Sequence, residues 1–331
     1  MLIRKSTQTA LLSLCLLCAA RADTAALTER LRQAGTSSWL GSPDLQPWHL
    51  KLDVQLFSDK AQPTEQGTIE EWWTSPAAYQ ITYTFPSYTA SIIRIGNGFS
   101  RTKGAASPPF LLHLLLRQAV SPIPSDKDIS QSTPVLRNLT VAKLPLECVM
   151  LARKVDDNSQ PPLGLFPTYC FGPGTTFLRM SYDFGSQTVI RNSMGVFQKR
   201  EVAMDATVLD NGQKRATAHL NTLESNSTLT PPPVDPASIE KEEPATPVSG
   251  SVMAGHKTGG TNPVGQHRSG SIVMNGTITR DGHVRSLTLV KVSNSDLAAA
   301  ALAAVRTWTY APWLLNGKPV EVDTQITINF R

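Results

Sequence analysis

Ser269 to Arg331 reads SGSIVMNGTITRDGHVRSLTLVKVSNSDLAAAALAAVRTWTYAPWLLNGKPVEVDTQITINFR. Its patterns run strand, tight turn, strand, helix, loop, strand. Arg280-Asp281-Gly282 stands between two runs of β-branched and apolar residues, and Asp-Gly there signals a hairpin because glycine accepts positive φ. The return strand carries Val284, Leu287, Leu289 and Val292, and its break in alternation at Arg285-Ser286 fits a bulge. Ser293 or Ser295 offers an N-cap, and Asp296 puts a carboxylate in the first turn of an Ala/Leu-rich helix. The apolar stripe of that helix, Leu297, Ala301, Val305 and Trp308, faces the hairpin, and Pro312 bounds it. After the turn Asn316-Gly317-Lys318-Pro319, the apolar residues Val320, Val322, Ile326, Ile328 and Phe330 all fall on even positions, the mark of a half-buried strand. Glu321, Asp323, Gln325, Thr327 and Asn329 form the polar row opposite.

Asp281-Gly282-x-Val284, the Ala-rich helix ending Val305-Arg306-x-Trp308-x-Tyr310-x-Pro312, and Gly317-x-Pro319 before a closing β run resemble the C-terminal domain of TonB energy transducers. Each piece alone also suits a ferredoxin-like fragment or another small α+β unit. The resemblance covers roughly the last fifth of the chain. It implies a ββαβ unit that accepts an extended segment of an outer-membrane TonB-dependent transporter by strand addition. The edge it points to is the closing strand: Val322, Asp323, Thr324, Gln325, Ile326, Thr327, Ile328, Asn329 and Phe330.

At the other end, Arg4 and Lys5 precede an apolar run from Ala10 to Ala20, and Ala20-Arg21-Ala22 fits a small-x-small cleavage site. Residues 1–22 read as a leader, with Asp23 as the expected mature N-terminus and the periplasm as the compartment. An uncleaved inner-membrane anchor is the alternative, although spanning takes roughly 20 apolar residues. Without Arg4, Lys5 and Arg21 the 31 basic residues fall to 28 against 26 acidic ones, so the net charge drops from +5 to about +2. No Lys/Arg cluster interleaved with aromatic residues accompanies it, and nucleic acid is not an expected partner. Removing the leader also removes Cys15 and Cys18, and an exported chain left with Cys148 and Cys170 is expected to form one disulfide.

Residues 23–226 are expected to fold as one antiparallel β-rich domain. A helix is predicted over Ala25 to Gln33, after which the period is two: Leu50, Leu52, Val54 and Leu56 share a face, as do Tyr79, Ile81, Tyr83 and Phe85. Gly96-Asn97-Gly98 marks a hairpin, and Phe110 to Gln118, apolar almost all round, is a helix to be buried on a sheet. Further strands are predicted at Leu146–Leu151, Thr168–Phe171, Phe177–Tyr182, Thr188–Arg191, Glu201–Leu209 and Ala216–Leu223. Gly67-x-x-Glu70-x-Trp72-Trp73 with successive hairpins resembles the open half-barrels of LolA and LolB, periplasmic lipoprotein carriers. That resemblance implies a hollow for lipid or acyl chains, lined in part by Trp72, Trp73, Tyr79, Tyr83 and Phe85; a packed core of the same aromatics is the alternative.

Residues 227–268 are rich in Pro, Ser, Thr and Gly, with Pro231-Pro232-Pro233, Pro236, Pro244 and Pro247 among them, and read as a linker without a core of its own. Catalytic chemistry finds little support. Ser100-x-x-Lys103 and Lys257-Thr258-Gly259 echo serine β-lactamase motifs, but Ser100 follows a hairpin instead of opening a helix. Glu70 and Glu71 point to opposite faces of a strand, and the six histidines lack metal-ligand spacing. The expectation is a non-enzymatic binding or adaptor protein without cofactor or metal: a half-barrel-like β domain, a linker and a small TonB-like domain.

Overall fold

Period-two patterning between residues 48 and 225 becomes a long antiparallel meander. In the computed structural model, which describes residues 7–183, 187–225, 228–264 and 268–331, its strands are β1 (Trp48–Phe57), β2 (Pro63–Ser75), β3 (Ala78–Thr84), β4 (Thr89–Ile95), β5 (Gly98–Thr102), β6 (Thr133–Val141), β7 (Leu144–Ala152), β8 (Thr168–Phe171), β9 (Leu178–Asp183), β10 (Gln187–Phe197), β11 (Arg200–Asp210) and β12 (Gln213–Ser225). With β13 (Ile239–Glu242) they form one unclosed sheet in the order β13-β5-β4-β3-β2-β1-β12-β11-β10-β9-β8-β7-β6. The first strand pairs with the last of the meander, so β1 and β12 lie centrally and the sheet wraps around them.

Helix α1 (Thr7–Ser38) contains the predicted Ala25–Gln33 helix, and a short helix α3 (Asp126–Ser130) precedes β6. The expected leader, residues 1–22, begins outside the described residues; from Thr7 its backbone belongs to α1. Among the described residues no helix is long and apolar enough to cross a membrane. Helix α2 (Phe110–Val120) fills the sheet's concave side, with Leu112, Leu114, Leu115 and Leu116 in one apolar cluster with Leu50, Leu52, Ile69, Trp73, Tyr83 and Val208. It is less uniformly apolar than its leucines suggest: Arg117 pairs with Asp183, and Gln118 accepts from Ser181 at 3.2 Å and from Arg191. Trp48 anchors the cluster, stacked on Trp73 at 5.7 Å with its Nε1 donating to the Leu40 carbonyl at 2.8 Å.

Cys148 on β7 and Cys170 on β8 lie directly opposite one another and form a disulfide. It closes a loop with a sequence separation of 22, which by chain entropy contributes about 3 kcal/mol. Replacing both cysteines by Ala is expected to lower the urea midpoint accordingly, and a midpoint equal to that of the oxidised parent would show the bridge to be stability-neutral.

The last unit holds β16 (Gly270–Ile278), β17 (Val284–Val292), helix α5 (Ser295–Val305) and the short strands β18 (Thr309–Tyr310), β19 (Trp313–Leu315) and β20 (Lys318–Val320), closing with β21 (Val322–Phe330). Thr277 pairs with Ser286 and Ile278 with Val284, which leaves Arg285 as the bulged residue. Neither predicted serine caps α5: Asn294 does, its side chain accepting from the amides of Asp296 at 2.9 Å and Leu297 at 3.2 Å. Gly282 has φ +87°, and a side chain there would strike the Tyr310 carbonyl. Its own carbonyl accepts from the Tyr310 amide at 2.9 Å, so the glycine is demanded twice, by the turn and by the crossing strand.

Residues 227–268 do more than link. The segment contributes β13, β14 (Thr246–Pro247), helix α4 (Gly250–Gly255) and β15 (Lys257–Gly259). Met253 of α4 is buried in the same cluster as Ile272, Val305 and Val322. The loose-tether expectation therefore needs correcting, for a physical reason: two sheet edges supply the hydrogen bonds that this Pro-rich stretch cannot make with itself. Nor are the flanking units separate, since Met150, Ala152, Val155, Leu165 and Phe166 of the large unit share that cluster too.

Candidate functional site

Between the concave face of β2 to β5, helix α2 and the C-terminal unit lies a hollow of ≈ 790 Å³. Alternation on β2 turns Ile69, Glu71 and Trp73 inward; Tyr79, Ile81 and Tyr83 of β3 and Ile92 of β4 continue the wall. Of the five aromatics expected here, Trp73, Tyr79 and Tyr83 line the hollow. Trp72 faces the other way and stacks on His49 at 3.8 Å, as the alternation demands, and Phe85 is spent in the core. Burial raises the Tyr79 and Tyr83 hydroxyls' pKa, so both remain neutral donors.

Glu71 is the unexpected member. Its residue is 5 % exposed, between Leu50 on β1 and Ile81 on β3, and burial pushes its carboxyl up to about 8. By contrast Glu70, on the opposite face, meets Lys51 at 3.0 Å and His49 at 3.2 Å. The hollow's cations are engaged elsewhere: Arg101 pairs with Glu242, Arg285 with Glu321 at 2.5 Å, and Arg117 with Asp183. Arg94 lies over the Phe99 ring at 5.0 Å and donates to the Gly96 carbonyl at 3.2 Å. His113 is pushed down to about 4, first by burial and then by Arg285 and Arg117 nearby.

One side of the hollow is built by the supposed linker. Ile239–Glu242 pairs antiparallel with β5, and Lys241 to Ala245 complete the rim beside Arg285 and Glu321. After three intervening residues, the same segment pairs parallel with the closing strand: Thr246 and Val248 donate to the carbonyls of Glu321 at 2.8 Å and Asp323 at 3.0 Å. Residues 239–248 thus form a strap joining the hollow's rim to β21. Sequence periodicity does not reveal it, since four and two paired residues are too short for a pattern.

The strap alters the expected partner edge. In the sheet order β14-β21-β16-β17 the closing strand pairs along its whole length with β16, from Val322 opposite Ile278 to Phe330 opposite Gly270. Its other side is covered at Val322 and Asp323 by β14, and Gly250 of α4 sits against the Gln325 carbonyl with no room for a side chain. By the same alternation Thr327 and Asn329 direct their backbone groups to that outer side, while Thr324, Ile326, Ile328 and Phe330 direct theirs to β16. Glu321, expected on the wet polar row, is instead buried and held by Arg285 and by Ser107 at 3.3 Å.

Residues 265–331 match the family described as Gram-negative bacterial TonB protein C-terminal. This is the part of the chain that carries β16, β17, α5 and β21. No curated protein matches the chain. Among solved structures, a DUF1329 family protein from Desulfovibrio piger is similar at TM-score 0.39 and 9% identity, over 62% of this chain and 92% of that one. A LolA superfamily protein from Nitrosomonas europaea is similar at TM-score 0.39 and 10% identity, over 61% of this chain and 93% of that one.

Proposed function

We propose that this is an exported binding protein of the bacterial envelope, without catalytic activity, that holds an apolar ligand in its half-barrel hollow. The observation that carries this reading is the hollow: ≈ 790 Å³, aromatic and aliphatic in its walls, with a few convergent polar groups, inside the range of small-molecule sites. The Cys148–Cys170 bridge and the leader-like N-terminal run support an oxidising compartment, the periplasm. Nile red is expected to bind the full chain saturably with a blue shift, and Ile81→Trp, which fills the hollow, is expected to abolish this while far-UV circular dichroism stays unchanged. Equal binding by parent and variant, or no saturable binding by the parent, overturns the reading.

A second reading, docking of an outer-membrane transporter, is favoured by the TonB match over residues 265–331. Under it an extended segment adds to the outer side of β21 and takes the place of Thr246–Val248. Thr246→Pro removes one amide that holds the strap and should tighten binding of a TonB-box-like peptide, whereas Thr327→Pro should weaken it. Amide shifts confined to α5 around Arg306, with β21 silent, would sink strand addition.

A further inference from the structure

Withdrawing a carboxyl from water is costly unless something pairs with it, and a nearly buried one without a protein partner calls for a ligand, an ion or water. Glu71 is nearly such a group: the residue is 5 % exposed. It lines the hollow among Leu50, Ile81 and Trp73, and among the described residues no hydrogen bond or ion pair reaches its carboxyl. Burial is the only cause acting on its proton affinity, so neither Arg94 nor Arg101 offsets the charge. Glu70 is bound on both sides by Lys51 and His49, so the difference between the neighbours comes from the face each occupies.

Resting on the reading of the hollow as a ligand site, we propose that Glu71 is its polar anchor and that the ligand is an amphiphile whose buried end carries a primary amine, its apolar body lying on Trp73, Ile81 and Ile92. An ammonium against this carboxyl makes a charge-assisted pair and gives Glu71 the partner that the described residues do not supply. A hydroxyl makes only a neutral bond. A carboxylate would set two acids side by side, where one must stay protonated. The order of affinity at equal chain length is therefore amine, alcohol, carboxylate.

The test uses the full chain at pH 7 and displacement of Nile red by dodecylamine, dodecanol and dodecanoate, each below its micelle concentration. Dodecylamine is expected to displace the dye at a concentration at least about tenfold below dodecanoate, as one charged hydrogen bond allows. Glu71→Gln, nearly isosteric, should erase that gap, whereas Glu70→Gln, on the opposite face, should leave both the gap and dye binding as in the parent. Displacement without amine preference, or a preference that survives Glu71→Gln, overturns the anchor and leaves the hollow standing. A parent that fails to bind the dye overturns both.

Discussion

The stability difference between the parent and Glu71→Gln is expected to grow with pH, in favour of the variant, reaching on the order of 4 kcal/mol above pH 8. In the fold this carboxyl keeps its proton up to about 8, whereas the unfolded chain releases it at its ordinary value of 4.5. Between those two values the native state binds more protons, so raising the pH favours unfolding. His113 acts in the opposite direction: with its folded pKa near 4 against 6.5, it makes the protein gain stability as pH rises between those values. The parent's own profile is therefore clearest between about pH 6.5 and 8, and comparison with the Gln variant cancels the histidine. Urea midpoints from pH 4 to 9 supply the reading. A difference that stays level across that range would mean the carboxyl is solvated or paired.

Trp48→Ala is expected to cost about 3–5 kcal/mol, the range for emptying a buried aromatic site. Trp48 is 0 % exposed, and its removal leaves a void against Trp73 and strips the Leu40 carbonyl of its donor. Trp48→Phe separates the two effects, because it restores most of the volume without the N–H. Its cost should approach the 1–3 kcal/mol of an orphaned buried carbonyl. If Ala cost less than about 1 kcal/mol, β1 would not be the centre of the large core.

Where a structure is set by local chemistry, the sequence was readable. Asp281-Gly282 makes its hairpin, Arg285 is its bulge, and the even positions of β21 face the core because strand geometry alone requires it. The cysteine pairing followed from having two left in a chain read as exported. Long-range choices were hidden. Which aromatic lines the hollow turns on register: Trp72 and Trp73 are equally aromatic, and only pairing with β1 and β3 tells which faces inward. Alternation puts Glu71 on one face with Ile69 and Trp73, but that this face is the inward one rests on the same pairing, and its burial depends on α2 and the C-terminal unit closing over it. The strap was hidden most thoroughly, because its strands exist only through the edges they meet.

Those edges have a meaning for solubility. An exposed strand with free amides and carbonyls is a template on which another chain can add, and β5 and β21 would both offer one. The strap ends the large sheet with the four-residue β13 and the small one with the two-residue β14. Beyond β13 any incoming strand meets the charged run Glu240-Lys241-Glu242, and in β14 Pro247 has no amide to offer. A segment whose proline content argues against regular structure thus caps one edge of each of two sheets and makes those capped ends poor templates for aggregation.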